Sequence, residues 1–176
     1  RTKVGNPHPD FIYGFTNIFT YKGFDLNIFF QGSQGNDVFN GSRLFLESLQ
    51  GGDNQLAVIN DRWQQPGDIT NIPAATNDPE LAASNVRVSS RFIEDGSYLR
   101  LKNLTLGYTF HMGERIKQSI SGFRIYFTGQ NLFTLTKYSG LDPEVNYIGN
   151  DNAVIGTDFF TFPQARIYSF GLNLTF

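Results

Sequence analysis

The chain has 176 residues, of which 15% are aromatic and only 17% charged, with 18 Phe, 18 Gly, no Cys and a formal net charge of −2. This balance excludes a basic nucleic-acid footprint, a disulfide scaffold and thiolate metal sites. No run approaches the ~18 consecutive apolar residues of a membrane helix, which leaves a β-rich soluble domain or a membrane β-barrel, where lipid-facing and lumen-facing residues alternate and mean hydropathy stays near neutral.

Five segments read as strands. In the first, 10–21, Phe11, Tyr13, Phe15, Phe19 and Tyr21 share one parity, and Gly14, Thr16 and Thr20 the other. Asn17 interrupts the apolar face, while Ile12 and Ile18 interrupt the polar one. Lys22-Gly23 leads into the second strand, 24–31, where Phe24, Leu26, Ile28 and Phe30 alternate with Asp25, Asn27, Phe29 and Gln31. Apolar residues at every second position around a short Gly-containing turn predict a β-hairpin. A long stretch rich in Gly, Asn, Asp and Pro follows over 32–96, with short helices expected at about 42–49 and 54–63. The third strand, 98–110, sets Leu104, Leu106, Tyr108 and Phe110 against Asn103, Thr105, Gly107 and Thr109. Leu99 and Leu101 have the opposite parity, a switch that a bulge near Lys102 or emergence from the membrane explains. A moderate connection, with a helical turn expected at 114–118, precedes the fourth strand, 123–135. There Phe123, Ile125, Phe127 and Phe133 share one face, and Arg124, Tyr126, Thr128 and Gln130 the other. A second long connection, 136–164, leads to the fifth strand, 166–176, where Tyr168, Phe170, Leu172, Leu174 and Phe176 alternate with Ser169, Gly171, Asn173 and Thr175.

Short and long connections alternating along an antiparallel meander are the asymmetry of an outer-membrane barrel, with short periplasmic turns and long extracellular loops. If 32–96 and 136–164 face outward, Tyr21, Phe24, Tyr108, Phe110, Phe123 and Phe176 gather near the periplasmic rim, as an aromatic girdle does. In this register Phe11, Phe15, Leu26, Ile28, Leu106, Phe127, Phe170 and Leu172 face lipid. Thr16, Asn27, Thr105, Thr128, Gly171 and Asn173 face the lumen, together with Asp25 and Arg124, which there meet plug residues or water. Five strands do not close a membrane barrel, whose smallest bacterial form has about eight, so the chain is expected to be part of a larger polypeptide.

The last strand is the most specific signal. A polar residue, Gly two positions later, then apolar residues at alternate positions up to a terminal aromatic match the assembly signal of outer-membrane barrels, carried here by Gly171, Leu174 and Phe176. A final strand presented as an edge template needs one lipid-ready face. The competing reading is the C-terminal edge strand of a soluble sandwich, for which such an edge is an aggregation hazard.

Three segments, DGSYLRLKNLTLGYTF over 95–110, YFTGQNLFTLTKYSGLDPE over 126–144 and FPQARIYSFGLNLTF over 162–176, resemble the SusC/RagA-type TonB-linked outer-membrane proteins. The opening GNPHPDFIYGF over 5–15 and Asp61-Arg62-Trp63 are similar to the family as well, although Gln-Gln-Pro follows Trp63 where members often carry a Thr- and Asn-containing segment. The resemblance spans nearly the whole of 1–176. It implies an all-β fold, the C-terminal portion, about five strands, of a 22-stranded transmembrane antiparallel barrel with an N-terminal plug. It also implies a multi-pass location in the outer membrane, contact with its lipid and with the barrel-assembly machinery, and a SusD-like surface lipoprotein as lid. TonB would act through N-terminal regions outside these residues.

The chemical motifs are sparse. His8 and His111 fall on opposite sides of the membrane in this topology, and no phosphate-binding glycine loop is present, so neither an enzyme nor a cofactor is expected. Asp142-Pro143-Glu144 reads as a proline turn at a loop entrance. Asp151 and Asp158 lack the spacing of a calcium loop and read as solvated acids. Trp63, Tyr138 and Tyr147 are candidate extracellular contacts, able to stack on a sugar or anchor a partner, or else to pack the loops on themselves. Trp63 and the cluster of Phe159, Phe160 and Phe162 are expected to be packed. The leading functional reading is import of oligosaccharides or peptides; the alternatives are a SusC-like barrel used as a scaffold in a larger outer-membrane complex and a soluble β-rich carbohydrate-binding module.

Overall fold

The computed structural model describes residues 2–113, 120–147 and 154–176; the helical turn expected at 114–118 and Asp151 lie outside them. The chain divides into two compact units. A sheet unit comprises Asp10–Gln34, Ser97–Thr136 and Pro163–Phe176, and a loop unit comprises Arg1–Pro9, Gly35–Gly96 and Lys137–Phe162.

The sheet unit is one antiparallel meander of β1 (Phe11–Tyr21), β2 (Phe24–Gln34), β5 (Tyr98–Phe110), β6 (Gly122–Thr136) and β8 (Ile167–Thr175), paired in that order. Among the described residues the sheet does not close, and β1 and β8 are its edges. Lys22 and Gly23 both have positive φ, 45° and 88°, the pattern of a two-residue turn whose twist suits a right-handed hairpin. β2 runs three residues beyond the expected end at Gln31. Gly32 and Ser33 break the sequence alternation but still pair with Tyr13 and Ile12 on one side and with Leu99 and Tyr98 on the other.

The registers sort the side chains by face. Phe19, Leu26, Leu106, Phe127 and Phe170 form one cross-strand row, while Asn27, Thr105, Thr128 and Ser169 form a row on the opposite face. The parity switch in β5 is a bulge: Phe29 and Phe30 pair with Asn103 and Leu101, leaving Lys102 as the extra residue. On the other side Leu101 and Asn103 pair with Phe133 and Gln130, so Asn131, at φ 51°, and Leu132 bulge opposite Lys102. Leu99 and Leu101 thereby return to the face of Leu104 and Leu106. Toward the turn end of the sheet, aromatic rings form a chain, Phe24–Tyr108 at 4.6 Å, Tyr108–Phe110 at 4.8 Å and Phe110–Phe123 at 4.9 Å. Such pairs each contribute about 0.5–1.5 kcal/mol beyond the area they bury.

The long connections are more structured than the sequence suggested. β3 (Asp37–Asn40) pairs antiparallel with β4 (Ile93–Asp95) and parallel with β7 (Thr157–Asp158). The first expected helix is α1 (Gly41–Leu46), and the second shortens to a 3-10 turn over Ala57–Asp61. A further helix, α2 (Pro79–Asn85), lies outside the two expected stretches; Asp78 caps it by accepting from the Glu80 and Leu81 amides, and Pro79 stands where a missing N–H costs nothing. Val38, Tyr138 and Val145 form the buried cluster of this unit.

Candidate functional site

The loop unit is held by an ion-pair network centred on α1. Asn40 caps the helix by accepting from the Arg43 amide, and its Nδ2 donates to Glu94 Oε1 at 3.1 Å. Arg43 and Glu47, one helical turn apart, pair at 2.6 Å, and Arg43 also reaches Glu94 at 2.8 Å. Arg91 closes the set on Glu47 at 2.7 Å, and the Ser139 amide and hydroxyl each donate to Glu94 at 2.8 Å. Two guanidinium groups and two carboxylates neutralise one another. Burial alone raises the pKa of Glu94, but the hydrogen bonds from Arg43, Ser139 and Asn40 together outweigh it and hold the carboxyl below its ordinary value.

Beside this network lies a cavity of about 590 Å³ whose floor includes Asn40, Arg43, Glu47 and Asp158 and whose rim includes Leu56, Val58, Leu141 and Phe160. The cavity thus sets paired charges beneath exposed apolar side chains. Asp158, expected to be a solvated acid, is 4% exposed; the Tyr138 hydroxyl donates to it at 2.6 Å and the Thr161 amide at 3.1 Å. Tyr138, a candidate surface contact, is itself buried in the Val38 cluster. Burial and the Asp158 carboxylate both push its phenol well above the ordinary tyrosine range, so it remains a donor. Its ring packs with Val38 and Val145, and its hydroxyl meets Asp158, within the loop unit. Tyr147 is half exposed and lies 5.2 Å from the Phe159 ring. Trp63 is also partly exposed, its amide bonded to the Ile72 carbonyl at 3.0 Å. Phe159 meets Phe45 at 5.0 Å, but Phe162, expected to be packed with it, is 92% exposed. Phe162 is the last residue of the loop unit before the chain returns to the sheet unit at Pro163. Asp142 is buried with its carboxylate accepting from the Glu144 amide at 2.9 Å, an Asx turn.

In the sheet unit, Asp25 and Arg124 share one face and pair with each other, rather than meeting water or a plug residue alone. Arg124 Nε donates to Asp25 Oδ1 at 2.9 Å, and Nη2 donates to Oδ2. The pair crosses β5 at Gly107, where a Cβ would come within 2.5 Å of Asp25 Oδ1 and 2.4 Å of Arg124 Nη2, so any side chain there would displace the pair. Gly171 has the same logic: it stands opposite Tyr126, whose ring fills the space of a Cβ. Leu174 pairs with Phe123 on the apolar face, and Phe176 is 87% exposed beyond the end of β8. His8 belongs to the loop unit and His111 to the sheet unit.

Sequence reasoning missed the four-charge network. Arg43 and Glu47 stand at the i,i+4 spacing of a helical pair, which was a local signal; Glu94 and Arg91 come from 51 and 44 residues away and leave none.

No protein-family profile matches the chain. Curated relatives do. The chain is 39% identical over its whole length to the TonB-dependent receptor P3 of Formosa agariphila, of which it covers 17%. Over 97% of its length it is 30% identical to the TonB-dependent receptor SusC of Bacteroides thetaiotaomicron, of which it covers 15%. Among solved structures, the RagAB peptide importer in the "open-open" state superposes with a TM-score of 0.75 at 28% identity, over 96% of this chain and 17% of that one. The chain thus spans about one-sixth of the length of the relatives it matches. Identity along the whole chain, with a superposition covering both units' sequence, means that this chain belongs to the TonB-dependent receptors of the SusC/RagA type.

Proposed function

We propose that this chain is the C-terminal barrel portion of an outer-membrane TonB-dependent importer whose cargo is an oligosaccharide or a peptide. The observation that carries the reading is the five-stranded sheet with one apolar face and one polar face, whose long connections leave from one end. Such a sheet satisfies its backbone through its neighbours and tolerates hydrocarbon on one side only when the remaining strands close it. The kinship to SusC and to a peptide importer supports import as the activity and a SusD-like surface lipoprotein as the partner above loops 32–96 and 136–164. In this reading TonB engages an N-terminal region, and Gly171, Leu174 and Phe176 present the last strand to the assembly machinery. The ion-pair network gives the outward loops a fixed shape, with Trp63 and Tyr147 left partly exposed for contact.

Sidedness tests the reading. Asp53 and Lys22 are both exposed, the first in the long loop and the second in the β1–β2 turn. In intact cells, Asp53→Cys should react with a membrane-impermeant maleimide, and Lys22→Cys only after the outer membrane is broken. The reverse pattern would place the barrel upside down and remove the basis for import.

A further inference from the structure

The loop unit contains a second cleft, of about 600 Å³, that the network around α1 does not explain. One wall is built on Trp63 and Ile72. The Trp63 amide donates to the Ile72 carbonyl, and Ile72 is buried, so the backbone at Trp63 is pinned while 40% of the residue stays exposed. The other wall is the end of α2 and the residues after it. Asn85 Nδ2 donates to the Ala74 carbonyl at 2.9 Å and ties the two walls together. Arg87 and Arg91 both line the cleft, and no carboxylate does. Arg91 is engaged by Glu47, yet its Nε is buried without a hydrogen-bond partner. The Arg87 side chain is exposed and makes no ion pair or hydrogen bond among the described residues. In a chain of net charge −2, the Arg87 guanidinium thus stands without a carboxylate partner among the described residues, in the same cleft as the Trp63 indole.

We propose that this cleft binds a sugar unit bearing an anionic group, with its ring against Trp63 and its carboxylate or sulfate on Arg87. The assignment rests on the reading of the loop unit as outward-facing. An indole presents a flat apolar surface to the C–H groups of a pyranose ring, and a guanidinium offers two parallel donors to a planar anion. Amide and hydroxyl groups of Asn71, Ser84 and Ser89 line the same space, and hydrogen bonding to sugar hydroxyls asks for that mixture. An acidic peptide would use Arg87 equally but gives the single indole and this row of small polar groups no task.

The test uses the complete protein, purified in detergent, with calorimetric titration of oligogalacturonate, its methyl ester and tetraglutamate. The ester keeps the ring and removes the charge. Oligogalacturonate should bind, and esterification should weaken it about tenfold or more, the scale of one lost charge-assisted hydrogen bond. Arg87→Gln should cause the same loss for the acid and none for the ester, and Arg87→Lys should restore part of it. Trp63→Ala should weaken acid and ester alike; Trp63→Phe, which keeps an aromatic face, should retain binding and guards against loss through misfolding. A sulfated galactan oligosaccharide that binds in place of the uronate, with the same Arg87 dependence, keeps the anionic-sugar assignment with sulfate as its charge. Equal binding of acid and ester, indifference to Arg87→Gln, a tetraglutamate affinity matching the saccharide, or no saccharide binding would overturn it. The Asp53→Cys labelling, read on the same cells, separates this failure from that of the import reading: outward loops with no anionic-sugar binding sink only the cleft.

Discussion

The two units of this chain solve the burial problem in opposite ways. In the loop unit Val38, Ile72, Phe92, Tyr138 and Val145 are buried, together with Asn40, Glu47, Asp142 and Asp158, as in a small water-soluble domain. In the sheet unit bulky apolar residues stand exposed: Phe15, Phe19, Leu106, Phe170 and Leu172 all lie on one face. On the proposed reading the difference is one of solvent. A surface meant for hydrocarbon needs its backbone satisfied and its apolar side chains outward, whereas a loop region meant for water must bury its own apolar groups and pair every charge it takes inside. One sequence carries both rules, and the rule changes at the strand ends.

The sharpest way to break this comparison is to unpair the loop network. Glu47 is 2% exposed and holds Arg43 and Arg91 at once. Glu47→Ala leaves two partly buried guanidinium groups without this partner, and the loop unit should lose about 3 kcal/mol, the low end for removing one member of a buried pair because both arginines still reach water. Limited proteolysis of the loops in the purified protein reads the effect, which should leave the heat resistance of the sheet unit unchanged. A common loss in both units would mean that they do not obey separate rules.

The contrast also explains what the sequence disclosed. Period two made the five strands legible, because every second residue from Phe24 to Phe30 or from Tyr168 to Leu174 answers to a single face. The parity switch at Lys102 announced a bulge, but not that Asn131 and Leu132 would bulge opposite it. Gly32 and Ser33 hid the end of β2, since pairing there depends on neighbours rather than on alternation. β3, β4 and β7 have two to four residues each, too few to show a period. The candidate site was least legible: nothing local distinguishes Tyr138, which meets a buried carboxylate, from Tyr147, which stays half exposed. Asp78-Pro79-Glu80, by contrast, carries a local helix-start signal: a capping Asp, Pro at the first helical position and an acid in the first turn.

A second prediction sharpens the sheet side. Ile28 lies near the middle of β2 on the apolar face, and Asn27 beside it lies in the row with Thr105 and Thr128. Ile28→Arg should destabilise the assembled barrel by about 2–4 kcal/mol, as a charge at lipid depth does. Asn27→Arg should stay within about 0.5 kcal/mol and act on the pore instead. Urea unfolding in lipid vesicles measures both. Equal costs at the two positions would show that the faces do not differ in solvent, and the register argument would fall.

The smallest effect is one of pH, and it again separates the units. Glu94 has its carboxyl held below the ordinary value of 4.5 by Arg43, Ser139 and Asn40, against the opposing pull of burial. For a group depressed in the folded state, the linked stability is fully present above the unfolded value and is lost as pH falls toward the folded one. Between about pH 7 and 5 nothing should change at this site. Below about 4.5 the unfolded carboxyl takes up its proton first, and the loop unit should lose protection while the guanidinium groups stay charged. Hydrogen exchange at about pH 4 against pH 7, corrected for intrinsic rates, should therefore show faster opening at Ser139 and along α1, with the ladder of β2, β5 and β6 unaltered. Glu94→Gln should remove the pH dependence while lowering protection at neutral pH, because an amide cannot hold Arg43 as a carboxylate does. Loops that open equally at both pH values in the unsubstituted protein would show that Glu94 is not what fixes their shape, and the network would then be a consequence of the packing around Val38 and Tyr138 rather than one of its causes.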